Sequence, residues 1–192
     1  MEDAFQFMPF VFSKTVLNGV MIIQSKEFND SRGFFKEAYK RSEFRNAGIG
    51  LDFVQDNHSY SNKGVIRGIH FQNYPNEQGK LVSVIEGEIF DVAVDLRPDS
   101  MTFSKWYGAV LSGNNGTMLW IPPGFAHGFQ ALKDSHVCYK VTSEFSPKDD
   151  GGVRWNDTDI TVKWPLKESI VSDKDSSLPF LKDLKFDGGV WH

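Results

Sequence analysis

The side chains best suited to chemistry fall in two short stretches. The first is Gln55-Asp56-Asn57-His58-Ser59, followed by Gly64-Val65-Ile66-Arg67-Gly68-Ile69-His70-Phe71-Gln72. The second ends in Trp120-Ile121-Pro122-Pro123-Gly124-Phe125-Ala126-His127-Gly128. Its Pro-Pro-Gly sets a tight turn that presents His127 at the start of the next strand. An imidazole moves protons near neutral pH, ligates metals, or sits hydrogen-bonded in a core. Taken alone, His70 reads most simply as the last of these. If Val65 to Phe71 is extended, Arg67 shares a face with Ile69 and not with His70. A bulge or twist at Gly68 would bring Arg67 and His70 to one cavity. His70, Glu77 and His127 could together supply three ligands to a metal, the number a stable transition-metal site needs at least.

Those residues must be positioned by strands. Leu81 to Ile85 and Ile89 to Leu96 flank Glu86-Gly87-Glu88. In the second run Phe90, Val92, Val94 and Leu96 share one face, and Asp91 and Asp95 share the other. That period of two predicts a β-hairpin turning near Gly87. Shorter runs follow at Gly108 to Leu111, Met118 to Ile121, Gly128 to Leu132 and Val137 to Thr142. Arg41 to Ala47, stopped by Gly48, reads as a short helix, with room for another near the C-terminus. Aromatic residues make up 14% of the chain, and a load that high favours a β-rich core. Many short strands at close spacing predict a mainly β, jelly-roll barrel with a few short helices. The expected organisation is one domain over 1–192. Its N-terminal strands reach about Asp52, the barrel core spans about 53–164, and a C-terminal wrap covers about 165–192.

Composition removes several function classes. The 192 residues include 21 Lys+Arg against 25 Asp+Glu, a formal charge of -4. No basic excess exists to hold a nucleic-acid backbone, although a few clustered arginines can still hold one anionic ligand. Cys138 is the only cysteine. It forms neither an internal disulfide nor a thiolate metal cage, which fits a reducing compartment. The first residues are acidic where a signal peptide would be basic. The longest uncharged stretch, Trp106 to Leu132, is interrupted by Gly113, Gly116, Pro122, Pro123 and Gly124, so a membrane helix is not expected there. A cytoplasmic, non-membrane protein is the expectation.

Together the two chemical stretches resemble the paired motifs of the cupin superfamily. Gly64 and His70 fit the first motif; Gly116, Pro122, Gly124 and His127 fit the second. Metal-binding cupins carry a second histidine two residues after the first, and here that position is Gln72. This departure looks like a barrel reused for chemistry without a metal. A narrower resemblance follows from Arg32-Gly33-Phe34-Phe35-Lys36-Glu37, Gln55-Asp56-Asn57, Arg67 to Gln72, Gln78-Gly79-Lys80-Leu81, Phe90 to Asp95, Trp120-Ile121-Pro122, Gly124 to Phe129, Tyr139-Lys140 and Ser172-Asp173-Lys174-Asp175, in that order. The chain resembles the dTDP-4-dehydrorhamnose 3,5-epimerase family over most of its length.

The resemblance implies inversion at C3, C5 or both of a nucleoside-diphosphate 4-keto-6-deoxyhexose, most simply a dTDP-linked one, within deoxysugar synthesis. Removing a hydrogen beside the ketone gives an enolate. Inversion then needs a base, an acid on the far side, and a cation at the developing oxyanion. The family places these at His70, held by Asp175, at Tyr139, and at Lys80. Read without the family, Lys80 is a solvated surface charge and Tyr139 a core ring. The implied substrate contacts are Arg32, Glu37, Gln55, Asp56, Asn57, Arg67, Lys80, His127, Asp150 and Lys174. Asp150 stands where the family usually has Glu. Arginine suits a diphosphate because its planar fork donates two hydrogen bonds at once. Phe145 is placed to stack on a nucleobase, or else to fill the core. The family further implies no metal or coenzyme, and a homodimer with an exchanged N-terminal strand. Two rivals follow from the same residues: a metal-dependent cupin enzyme and a non-catalytic sugar-nucleotide binding protein.

Overall fold

A computed structural model describes residues 8–184; the outer ends of the expected N-terminal segment and C-terminal wrap, 1–7 and 185–192, lie outside the described residues. The chain opens with strands β1 (Phe10–Lys14), β2 (Met21–Ser25), β3 (Phe28–Asp30) and β4 (Gly33–Phe35), then helix α1 (Arg41–Asn46). Next come β5 (Gln55–Ser61), β6 (Val65–Gln72), β7 (Lys80–Glu86) and β8 (Glu88–Asp95). β9 (Trp106–Ser112), β10 (Thr117–Ile121), β11 (Phe125–Ala131) and β12 (Ser135–Val141) follow. Short β13 (Asp150–Gly152) and β14 (Ile170–Val171), helix α2 (Asp173–Ser176) and a 3-10 turn at Leu181–Asp183 complete the order.

Apart from the separate β3–β4 hairpin, the strands form two facing sheets, the jelly-roll barrel of cupin type that the sequence predicts. One sheet runs β1-β2-β10-β7-β12-β5. The other runs β13-β6-β11-β8-β9, with β14 added in parallel to β6. Between them Val82, Val84, Leu119, Ile121 and Val137 of the first sheet meet Ile89, Ala93, Leu111, Phe125 and Phe129 of the second. Each valine, leucine, isoleucine and phenylalanine among them stabilises the barrel by roughly 1.5–3 kcal/mol when fully buried. β1 and β2 extend the first sheet through β10. Phe44 of α1 packs on that sheet's outer face, against Phe10 and Tyr39.

The hairpin expected near Gly87 is not formed. β7 pairs with β10 and β12, whereas β8 pairs with β9 and β11 in the opposite sheet. Gly87, at φ +87°, is where the chain leaves one sheet for the other, and its missing side chain admits the backbone of Asp134 and Ser135. The two faces of β8 also have distinct fates. Val92, Val94 and Leu96 pack outward, under Val153, Ile160 and Leu181 of the C-terminal segment. Ile89 and Ala93 face the barrel interior, so Asp91, between them in the alternation, points inward as well. β11 begins at Phe125, which places His127 inside the strand and not at its start.

Candidate functional site

One end of the barrel is left open as a cavity of about 320 Å³. Its walls come from both sheets. β6 brings Arg67, His70 and Gln72, and the neighbouring β11 brings His127. From the opposite sheet β7 brings Lys80 and β12 brings Tyr139. Asp150 and Lys174, on later segments, complete the rim with Asp175.

Arg67 and His70 reach the same cavity because the strand register slips between them. His127 lies opposite His70, but Phe129 lies opposite Arg67, so β6 accommodates one extra residue. Gly68 makes the slip possible. It has φ +125°, and a Cβ there would stand 2.5 Å from Gly128 Cα. Asp175 fixes the result. One of its carboxylate oxygens accepts from the Gly68 N–H at 3.2 Å and the other lies 2.7 Å from His70 Nε2. Asp175 is itself placed by helix α2, where Ser172 Oγ accepts the Asp175 N–H at 3.1 Å as an N-cap.

A second imidazole–carboxylate pair stands beside the first. His127 Nε2 lies 2.7 Å from Asp91 Oδ1, and Asp91 is wholly buried. Its other oxygen, Oδ2, has no hydrogen-bond partner. Burial drives the Lys80 ammonium down to about 8, against the opposing pull of Asp150 and Asp91. The Lys80 Nζ donates to His70 O at 3.3 Å, so the cation sits beside the imidazole's own backbone. Burial raises the Tyr139 phenol above its ordinary value, which Arg67 only partly opposes. Tyr139 therefore holds its proton through neutral pH. Burial pushes the Asp175 carboxyl up, but the His70 hydrogen bond and charge, Gly68 N–H and Lys174 together hold it below the ordinary value. Lys174 Nζ also donates to Asp150 at 2.5 Å across the rim.

A profile described as dTDP-4-dehydrorhamnose 3,5-epimerase matches residues 14–183. The chain belongs to that epimerase family. It is 48% identical over 164 residues to the dTDP-4-dehydrorhamnose 3,5-epimerase of Shigella flexneri, covering 84% of this chain and 91% of that one. The crystal structure of the Sulfolobus tokodaii dTDP-4-dehydrorhamnose 3,5-epimerase is 46% identical and superposes with a TM-score of 0.87, over 93% of this chain and 98% of that one. A Legionella pneumophila dTDP-6-deoxy-D-glucose-3,5-epimerase, solved with dTDP-4-keto-L-rhamnose, is 41% identical with a TM-score of 0.89, over 92% and 95% of the two chains. Every site residue from Arg32 to Asp175 lies inside the matched span of this epimerase-family chain.

Five expected contacts do not line the cavity. Arg32, at the tip between β3 and β4, is exposed and pairs with Asp30 at 2.6 Å. Glu37 lies beyond that hairpin, its Oε2 buried without a hydrogen bond and 4.0 Å from Lys40 Nζ. Asp56 faces outward from β5 and pairs with Lys140 at 2.8 Å. Gln55 and Asn57 share a face of β5 with Ser59, which does line the cavity, but they lie outside its lining and bond to one another at 2.8 Å. Glu77 does not line it either, and among the described residues no three His, Cys, Asp or Glu side chains are grouped to hold a metal ion. The metal set of His70, Glu77 and His127 is therefore not assembled: each imidazole Nε2 is engaged by a carboxylate instead. Sequence reasoning gave Asp91 no role. The period of two puts it opposite the apolar face of β8, and only the jelly-roll crossing at Gly87 reveals that this opposite face is the barrel interior.

Proposed function

We propose that this chain inverts C3 and C5 of a dTDP-linked 4-keto-6-deoxyhexose through enolate intermediates. The observation that carries the reading is the placement of a carboxylate-held imidazole on one sheet and a proton-bearing phenol on the other, both lining one cavity. With Nε2 occupied by Asp175, the remaining ring nitrogen of His70 takes the proton from C3 or C5. The C–H electron pair moves into the C–C bond and onto the C4 oxygen. Lys80 stabilises that oxyanion, and its burial strengthens the interaction relative to one in water. Tyr139 then delivers its proton to the opposite face. Solvent restores the proton to Tyr139 and removes it from His70, so the cycle is redox-neutral and its chemistry calls for no coenzyme.

Arg67, Lys174 and His127 provide the donors for the diphosphate and sugar, with Asp150 holding Lys174 at the rim. Phe145, more than half exposed at the cavity mouth, offers an aromatic face to the nucleobase. Arg32, Glu37, Gln55, Asp56 and Asn57 would act from outside the cavity wall. A homodimer accounts for the first two, because the β3–β4 hairpin exposes Phe28, Phe34 and Phe35 and so has apolar surface to lay on a partner. The lone thiol of Cys138 suits the cytoplasm. No helix among the described residues is long and apolar enough to cross a membrane.

The test is incubation with dTDP-4-keto-6-deoxyglucose in heavy water, followed by NMR at C3 and C5. Deuterium is expected at both carbons, together with the inverted product. No uptake at either carbon overturns the substrate assignment, and binding without uptake favours a non-catalytic sugar-nucleotide binder.

A further inference from the structure

Gln72 stands where metal-binding cupins have their second histidine, and the proposed chemistry gives it nothing to do. It is nevertheless 3% exposed, and such a buried amide must find partners. Its Nε2 donates to Asn76 O at 2.7 Å and to Glu144 O at 3.2 Å. Its Oε1 accepts from the Ser146 N–H at 2.8 Å. Both amide hydrogens and the carbonyl are thus spent on two loops, the one leading into β7 and the one following β12. The second loop carries Phe145. From the opposite sheet, Gln55 Oε1 accepts the Phe145 N–H itself at 2.9 Å. Two consecutive backbone N–H groups, of Phe145 and Ser146, are therefore clamped by glutamines from the two sides of the barrel. The ring between them remains 54% exposed and borders the cavity. An apolar ring held open to solvent on a pinned backbone is arranged before any ligand arrives.

We propose that Gln72 is a positioning residue for nucleotide binding, fixing the 144–146 segment so that Phe145 stands ready at the cavity mouth. The inference rests on the reading of Phe145 as the surface that meets the nucleobase. Gln72 itself faces the cavity but acts through Glu144 and Ser146, with Asn76 tying the neighbouring loop to the same amide.

The test measures dTDP affinity by calorimetry on the full chain, alongside kcat at saturating substrate and a thermal melt. Gln72→Met keeps the length and removes all three bonds; it is expected to weaken dTDP about tenfold, with kcat within about twofold of wild type. Gln72→Glu keeps an acceptor for Ser146 but loses both donors and turns a buried carboxylate toward the carbonyls of Asn76 and Glu144, and is expected to weaken dTDP at least about tenfold. Phe145→Ala should weaken it about tenfold on its own. In the Phe145→Ala background, Gln72→Met should add less than about twofold, because its effect runs through the missing ring. Unchanged affinity in Gln72→Met, or a full tenfold loss on top of Phe145→Ala, overturns the role of Gln72. If Gln72→Met fails to fold, Gln72→Glu decides by the same comparison, unchanged affinity again overturning the proposal. Failure of the wild type to bind dTDP would instead strike the underlying substrate assignment, which these variants do not touch.

Discussion

His70 and Asp175 lie 105 residues apart in the chain, yet their side chains meet at 2.7 Å across the wall of the cavity. The same carboxylate also binds the Gly68 N–H, so one residue orients the imidazole and pins the irregular turn of strand that presents it. The His70 imidazole is consequently held by α2, a four-residue helix packed on β6, and not by its own strand alone.

Replacing His70 should separate binding from chemistry. His70→Asn is expected to lower kcat by about 10³-fold or more while dTDP still binds. Asp175→Asn keeps the imidazole but removes its orienting charge, and a loss of about 10–100-fold is expected. Steady-state rates and dTDP titration of both variants check this. Wild-type kcat in Asp175→Asn would show that the pair is not a dyad. Because the Asp175 carboxyl is held below its ordinary value, its contribution to stability is present above the ordinary carboxylate range. That contribution is lost as pH falls through the lowered folded value, so wild type and Asp175→Asn should converge in acid melts.

Lys80 is expected to set the alkaline limit of the reaction. Only its protonated form stabilises an oxyanion, and its folded value is about 8. The rate kcat/KM should therefore fall as pH rises through about 8, well before the Tyr139 phenol ionises. Asp91 raises the Lys80 value, so Asp91→Asn should move that limb to lower pH. A limb that stays in place would mean Asp91 does not act on Lys80. The stability linkage has the opposite sense. Between about 8 and 10.5 the unfolded chain binds the extra proton, so the Lys80 contribution to stability improves as pH rises through that window.

The slip in β6 predicts an unforgiving glycine. Gly68→Ala combines a positive φ with a Cβ 2.5 Å from Gly128 Cα, a backbone atom that cannot turn aside. A loss of more than about 2 kcal/mol is expected in denaturant unfolding. A loss under about 0.5 kcal/mol would mean that the two strands separate easily there.

Local patterning revealed the strands, because alternation along β8 is a property of that run by itself. It misjudged Gly87 for the same reason. A tight turn between two strands looks alike whether they pair or part into opposite sheets, and only the partners of β7 and β8 distinguish the cases. Asp91 was hidden by that ambiguity, since both faces of β8 are buried and alternation does not name the inner one. His70, Lys80, Tyr139 and Asp175 were legible through ordered motifs, and the fold brings all four to one cavity. Arg32 and Glu37 were legible in the same way, but a single chain does not bring them there.

The most direct measurement follows hydrogen exchange and inversion separately in Tyr139→Phe. Phenylalanine preserves ring packing against the barrel core while removing the hydroxyl proposed to protonate the far face of the enolate. In heavy water His70 should still exchange the C3 and C5 hydrogens of dTDP-4-keto-6-deoxyglucose. Inverted product should form at least about 100-fold more slowly, so the ratio of deuterium uptake to inversion rises by that factor. If uptake and inversion fall together and equally, Tyr139 is not a separate acid opposite His70, and the two-sided mechanism is wrong.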